Sequence, residues 1–378
     1  MGLEHFAGRP CPTWYDKAGF GIFIHWGIFA IPAFAPRGRA IHELMRDSYD
    51  DMNKYLPYAE WYENAARLEG SPTQLLHKQR YGNAAYADFR KPFDEAAASF
   101  DADRWADLFL EAGARYVVFV TKHHDGYCLW PTSVQNPWRP GWNTARDFVG
   151  ELAKAVRARG MRFGLYYSGG LDWTARPEPI ANLGDMFAAV PTEQAYVDYA
   201  AAQLRELIDR YEPSVLWNDI AWPSKAAVPE LFDYYYARVP DGVVNDRWFA
   251  EDTLFNHLRD PAARQNFNEM MKTRIRLADG KPDSPAPPHC DFRTVEYGMT
   301  APPATGKWEA CRGLGLAFGY NAEERDEDYL TPEQLIALHD DVRANGGNLL
   351  INVGPMADAT IPDIQKKALK ALGKKLSA

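Results

Sequence analysis

Short apolar runs alternate with amphipathic stretches along this chain. Residues 20–25 (FGIFIH) are almost wholly apolar and end on a histidine, the pattern of a strand covered on both faces. Trp105, Leu108, Phe109 and Ala112 then recur at helical spacing, with Asp101 or Asp103 placed to cap the first turn and Gly113 to close the last. Residues 116–122 (YVVFVTK) read as a second strand. Phe148, Leu152, Ala155 and Val156 form a helical stripe closed by Gly160, and residues 162–168 (RFGLYYS) a third strand. From Thr192 a long helix carries Tyr196, Ala200, Leu204, Leu207, Ile208 and Tyr211 on one face. Residues 215–219 and 243–245 are further strands. Thr331 followed by Pro332 marks a helix start, which leads to a strand at 348–353 and a last helix from about Ile361.

Strand and helix in repeated alternation predict a parallel α/β fold. No dinucleotide-binding glycine motif accompanies it. Polar residues stand at the C-terminal ends of successive strands: His25, His123 with His124, Tyr167, Asp219 and Arg247. That distribution favours a (β/α)8-like barrel of the TIM type, occupying residues 1–378 as a single catalytic domain, because such barrels carry their chemistry at that face. Residues 28–59 and 249–293 break the rhythm as long connections, the second rich in Asp, Arg, Asn and Pro with a Pro-Ala-Pro-Pro run at 285–288. Both are expected over the active-site face.

Composition narrows the partners. A formal net charge of -9, without a basic stretch, argues against nucleic acid and anionic membranes. No apolar run approaches the length of a membrane span, and the first residues lack the apolar core of a signal peptide. The chain as written is expected to be cytoplasmic, or secreted or periplasmic if a leader has been removed. The four cysteines are scattered, with no spacing that suggests zinc or a disulfide framework. Twelve tryptophans serve core packing and also suit the C–H faces of sugars.

Several side chains carry candidate chemistry. Asp219 closes the otherwise apolar run Leu216-Trp-Asn-Asp, where a carboxylate is costly unless paired, solvated or catalytic. His123 and His124 are adjacent, so on a strand they would point opposite ways, and neither HxH nor HExxH spacing is present. Glu60 beside Trp61, Asp172 beside Trp173, Glu296 and Glu309 are further acidic candidates. Glycoside cleavage needs two carboxyl groups flanking the bond, one to attack or activate water and one to protonate the leaving oxygen.

Taken in order, the motifs resemble those of the family 29 α-L-fucosidases. They are Phe20-Gly-Ile-Phe-Ile-His-Trp-Gly27, Ala59-Glu-Trp-Tyr62, Thr121-Lys-His-His-Asp-Gly126, Gly164-Leu-Tyr-Tyr-Ser168, Leu216-Trp-Asn-Asp219, Val244-Asn-Asp-Arg247, Trp308-Glu309 and Gly347-Asn-Leu-Leu-Ile-Asn-Val-Gly-Pro355. The resemblance covers about residues 14–362. It implies a retaining exo-α-L-fucosidase acting on fucosylated oligosaccharides or glycoconjugates without metal or cofactor. It further implies Asp219 as nucleophile and Glu296 as acid/base, with Glu309 second and Asp291 third for that role. His25, Glu60, Trp61, His123, His124, Tyr167 and Arg247 are implied to line the fucose pocket. Members commonly carry a β-sandwich after the barrel; with the sequence stopping at Ala378, that domain is expected to be missing or to have been removed. Phe318 stands where Trp is frequent, and Thr294-Val-Glu296 replaces the usual Thr-Pro-Glu. Two rival readings are a metal-dependent sugar hydrolase or isomerase using His123, His124 and Asp125, and a non-catalytic fucose-binding protein.

Overall fold

The computed structural model describes residues 2–278, 287, 289–298, 303 and 305–377. Among the described residues, eight strands form one curled sheet: β1 Phe20–Ile24, β2 Tyr116–Lys122, β3 Arg162–Ser168, β4 Val215–Asp219, β5 Val243–Val244, β6 Arg293–Glu296, β7 Trp308–Gly313 and β8 Asn348–Val353. Their order is β5-β4-β3-β2-β1-β8-β7-β6, with every ladder parallel. Helices Ala102–Glu111, Phe148–Ala158, Gln194–Tyr211, Val228–Arg238 and Pro332–Ala344 connect successive strands, and Asp363–Leu376 follows β8. The expected caps are present where the chain offers them: Asp101 accepts from Arg104 N, and Thr331 from Gln334 N.

Side chains alternate along each strand and build two layers. Phe23, Val118, Tyr166, Trp217 and Leu350 fill the barrel interior. Ile22, Phe119, Leu165, Leu216 and Ile351 point outward, into a core shared with Trp105, Leu152 and Leu204 of the helices. The apolar runs read from the sequence are therefore buried on both faces.

β5 and β6 are the two ends of the sheet, and side chains stitch the seam between them. Asp291 donates its N–H to Val244 O (2.9 Å) and accepts from Val244 N at its carboxylate (2.8 Å). Asp246 accepts from Thr294 N (3.1 Å), Thr294 Oγ1 (2.6 Å) and Arg293 Nε (2.8 Å). Asp291 also binds Arg9 and the Tyr236 hydroxyl, away from the cavity described below. Its place as third choice for the acid/base is thus corrected: it closes the barrel.

Both long connections contain helices. Ile41–Asp47 and the 3-10 turns Tyr49–Lys54 and Ala59–Trp61 occupy the first. Asp252–His257 and Pro261–Leu277 occupy the second, whose residues 279–286 and 288 lie outside the described residues. Strands β6 and β7 were not apparent as strands in the sequence, because Arg293, Glu296, Glu309 and Arg312 interrupt their apolar pattern.

Candidate active site

One cavity of about 480 Å³ opens at the C-terminal ends of the strands. His25, Glu60, Trp61, His123, His124, Asp219, Arg247 and Glu296 all line it. Two of its walls come from the first and second long connections.

Asp219 ends β4 on the inward face shared by Val215 and Trp217. Its Oδ2 accepts from the Tyr166 hydroxyl (2.8 Å) and lies 3.7 Å from His124 Nε2. Its Oδ1 accepts from Ile220 N (2.8 Å) and from Arg247 Nη1 (3.0 Å). Ile220 has φ +66°, a left-handed conformation that β-branched residues rarely adopt. Such strain costs about 1–3 kcal/mol and survives where surrounding bonds over-determine it. Here Ala221 N also donates back to Asp219 O (2.9 Å), a tight turn immediately beyond the carboxylate.

The Arg247 guanidinium joins the two carboxylates. While Nη1 holds Asp219, Nη2 donates to Glu296 Oε2 (2.5 Å) and Nε to Thr294 Oγ1 (3.3 Å). Burial alone would lower the pKa of this guanidinium, but Glu296 and Asp219 beside it raise it, so the cation is permanent. Asn218 Nδ2 fixes the backbone of the same arginine through its carbonyl (2.7 Å), and the guanidinium lies 5.0 Å from the Trp217 ring. The Tyr58 hydroxyl, from the first long connection, donates to Glu296 Oε1 (3.1 Å).

Three imidazoles are held neutral. Asn352 Nδ2 donates to Phe318 O (2.6 Å), which leaves its Oδ1 to accept from His25 Nδ1 (2.7 Å). Ser168 Oγ donates to Leu171 O (2.6 Å) and so accepts from His124 Nδ1 (2.6 Å). Both tautomers therefore present an Nε2 lone pair to a ligand. His123 lies parallel to Tyr166, centroids 5.6 Å apart. The expectation that neighbouring histidines diverge does not hold: β2 shifts register between Val120 and Lys122 and ends there, so both rings face the cavity with centroids 4.1 Å apart.

Burial pushes His25 down to about 4 from 6.5, and pushes His123 and His124 well below 6.5 too. In the unfolded chain these rings take up protons as pH falls through 6.5, whereas in the fold they stay neutral. Their stabilising contribution is full above 6.5 and falls as pH drops below it, in the case of His25 until about 4. His25 alone should cost about 2 kcal/mol between pH 7 and 5. The thermal midpoint is expected to drop over that range, and to drop less in His25→Gln. An identical pH dependence in the two proteins would contradict the assignment.

Glu60 accepts the Gly319 N–H at Oε2 (2.7 Å), and burial pushes it up to about 8. The approach needs a glycine, since a Cβ there would stand 2.7 Å from the Phe29 ring.

Two expectations are corrected. Tyr167 lies on the outward face with Phe163 and Leu165, its hydroxyl donating to Gln203 Oε1 (2.9 Å). Tyr166, its neighbour, occupies the pocket, as strand alternation from the inward Asp219 of the adjacent strand requires. Glu309 faces inward but one layer too deep. It accepts from Tyr15 (2.8 Å), Tyr116 (2.5 Å) and Trp217 Nε1 (3.2 Å), is fully buried, and does not line the cavity. Burial pushes it up to about 7. It anchors the Trp217 indole, which stacks on Tyr166 at 5.6 Å. Trp217, Tyr58 and Tyr166 were missed as site residues in the sequence, although the shared parity of Trp217 and Asp219 was a usable signal for the first. Asp172 is taken up by Lys122 (2.8 Å) and Thr174, away from the cavity. Among the described residues, no three or more His, Cys, Asp or Glu side chains converge as a metal site.

Two carboxylates gripped by one guanidinium, in a cavity walled by indole rings at the mouth of a parallel barrel, define a glycoside hydrolase. Comparison with known proteins gives the family. A family model described as Alpha-L-fucosidase matches residues 3–378. The α-L-fucosidase of Dictyostelium discoideum is 33% identical over 99% of this chain and 71% of its own length, and human tissue α-L-fucosidase 31% identical over 98% and 68%. The solved structure of Thermotoga maritima α-fucosidase in complex with fucose is 42% identical, with a TM-score of 0.80 over 99% of this chain and 76% of that one. The chain belongs to the α-L-fucosidase family.

Proposed function

We propose that this chain removes terminal α-L-fucose from fucosylated oligosaccharides or glycoconjugates by double displacement, with Asp219 as nucleophile and Glu296 as acid/base. The observation that carries the reading is the Arg247 fork, which holds one carboxylate on each terminal nitrogen. Retaining pairs stand about 5–5.5 Å apart, inverting pairs farther to admit a water. A single planar fork supports the closer spacing.

In the first step an Asp219 oxygen bonds to the anomeric carbon, the bond to the leaving oxygen breaks, and the Glu296 proton moves to that oxygen. In the second, water bonds to the anomeric carbon, gives its proton to Glu296, and the bond to Asp219 breaks. Tyr166 orients the nucleophile through its 2.8 Å hydrogen bond. The Nε2 lone pairs of His25 and His124 accept from sugar hydroxyls. Glu60, protonated at neutral pH, can donate to one. Trp61 and Trp217 receive the ring's C–H faces. Tyr15, Tyr116 and Glu309 fill the barrel below, so a sugar enters from one side only, which suits a chain-terminal residue.

The test is hydrolysis of an aryl α-L-fucoside followed by proton NMR, with and without chelator. The expected first product is α-L-fucose, at a rate that chelator does not change. β-L-Fucose as first product would replace double displacement by inversion, and loss of rate with chelator would favour the metal-dependent reading.

A further inference from the structure

Beyond the sugar-binding wall the cavity continues into an apolar vestibule that the chemistry above leaves unused. Its sides come from three segments outside the barrel strands. The helix Ile41–Asp47 contributes Ile41 and Met45, Leu183–Ala188 contributes Leu183 and Met186, and Pro261–Leu277 contributes Phe267 and Met271. Ile220, the strained residue after Asp219, joins it to the reaction centre, since it lines the same cavity and packs on both the barrel core and the Phe187–Phe249 cluster.

The vestibule is a built wall. Asn268 Oδ1 accepts from both the Tyr49 hydroxyl (3.0 Å) and Gly184 N (3.1 Å), so one side chain ties Pro261–Leu277 to Leu183–Ala188 and to the turn Tyr49–Lys54 that follows Ile41–Asp47. Lys272 pairs with Asp50 at 2.7 Å, Arg264 with Asp185 at 3.1 Å, and the Phe267 ring stands edge-on to Phe187 at 6.0 Å. Its polar groups are mostly spent elsewhere: Asn53 Nδ2 donates to Ile180 O (3.1 Å), and Asp246 is taken up by the seam. Arg274 adds one charge to the side formed by Pro261–Leu277. A hydroxylated sugar on the leaving-group side would find few hydrogen-bonding partners there, whereas methionine and aliphatic side chains adapt to an apolar group.

We propose that this vestibule is the aglycone site and that it takes an apolar alcohol, so that the preferred substrates are α-L-fucosides of alkyl or aryl alcohols. The proposal rests on the fucosidase reading and narrows its leaving group from a sugar to an apolar alcohol. The test uses methyl, butyl, hexyl and octyl α-L-fucosides, whose leaving alcohols differ little in acidity, beside a fucosylated lactose. For the full chain, kcat/KM should rise roughly two- to fourfold per added methylene until the vestibule is filled. The octyl-to-methyl ratio should collapse by about tenfold or more in Met271→Gln and in Met186→Gln, the methyl fucoside serving as reference within each protein. Hydrolysis of all four alkyl fucosides at one common kcat/KM, or a ratio that neither variant moves, overturns the vestibule and leaves the fucosidase reading intact. Failure to hydrolyse any fucoside overturns both.

Discussion

Asp219→Gly lowers kcat on an aryl α-L-fucoside by at least about 10⁴-fold, with the fold retained. The expectation follows from the bonds the carboxylate makes. Tyr166, Ile220 N and Arg247 all orient it, and none of them can supply the nucleophilic oxygen proposed for it. The space left by the side chain opens onto the cavity, so a small external nucleophile can enter. Added azide should restore turnover and give β-L-fucosyl azide, because it attacks the face that Asp219 has vacated. Activity close to that of the parent protein, or rescue with formation of the α-azide, would move the nucleophile elsewhere. A structural carboxylate would show neither the size of loss nor the stereochemistry.

Glu296→Ala separates the substrates instead of silencing all of them. An alkyl fucoside, which needs its leaving oxygen protonated, should lose about 10²–10⁴-fold in kcat/KM, the usual worth of a positioned acid. A dinitrophenyl fucoside, whose leaving group departs as an anion, should lose far less in its first step. Azide should here give the α-azide by attacking the fucosyl-enzyme, the opposite anomer to that from Asp219→Gly. Glu309→Gln provides the contrast. Glu309 is fully buried beneath the cavity, and its change should lower the thermal midpoint without any dependence on the leaving group. Equal losses on both fucosides in Glu296→Ala would take the acid role away from it.

Six of the eight strands were legible, because a run such as Val117-Val-Phe-Val120 can be buried only in a strand covered on both faces or in a core helix, and its length selects the strand. β6 and β7 were not, since Arg293, Thr294, Glu296 and Glu309 face the cavity, the barrel interior or the seam and erase the apolar signature. The same logic governs the site. His25, His123, Asp219 and Arg247 come within three residues of the end of an apolar run, so their position at the strand ends was visible locally. Tyr166 and Tyr167 were not separable from the run alone, because alternation gives two faces without saying which is inside. The register of β3 against β4 supplies that, pairing Tyr166 with Trp217.

The sequence by itself determined the alternation of strand and helix, the family motifs and the place of Asp219 at a strand end, all of which depend on neighbours within a few residues or on one strand end. Only the tertiary structure decided which carboxylate faces Asp219. Glu296, Glu309 and Asp291 are alike as residues, but closure of the sheet places the first on the Arg247 fork, the second a layer below it and the third in the seam. Depth in a barrel is set by registers between strands far apart in the chain, and no local pattern encodes it.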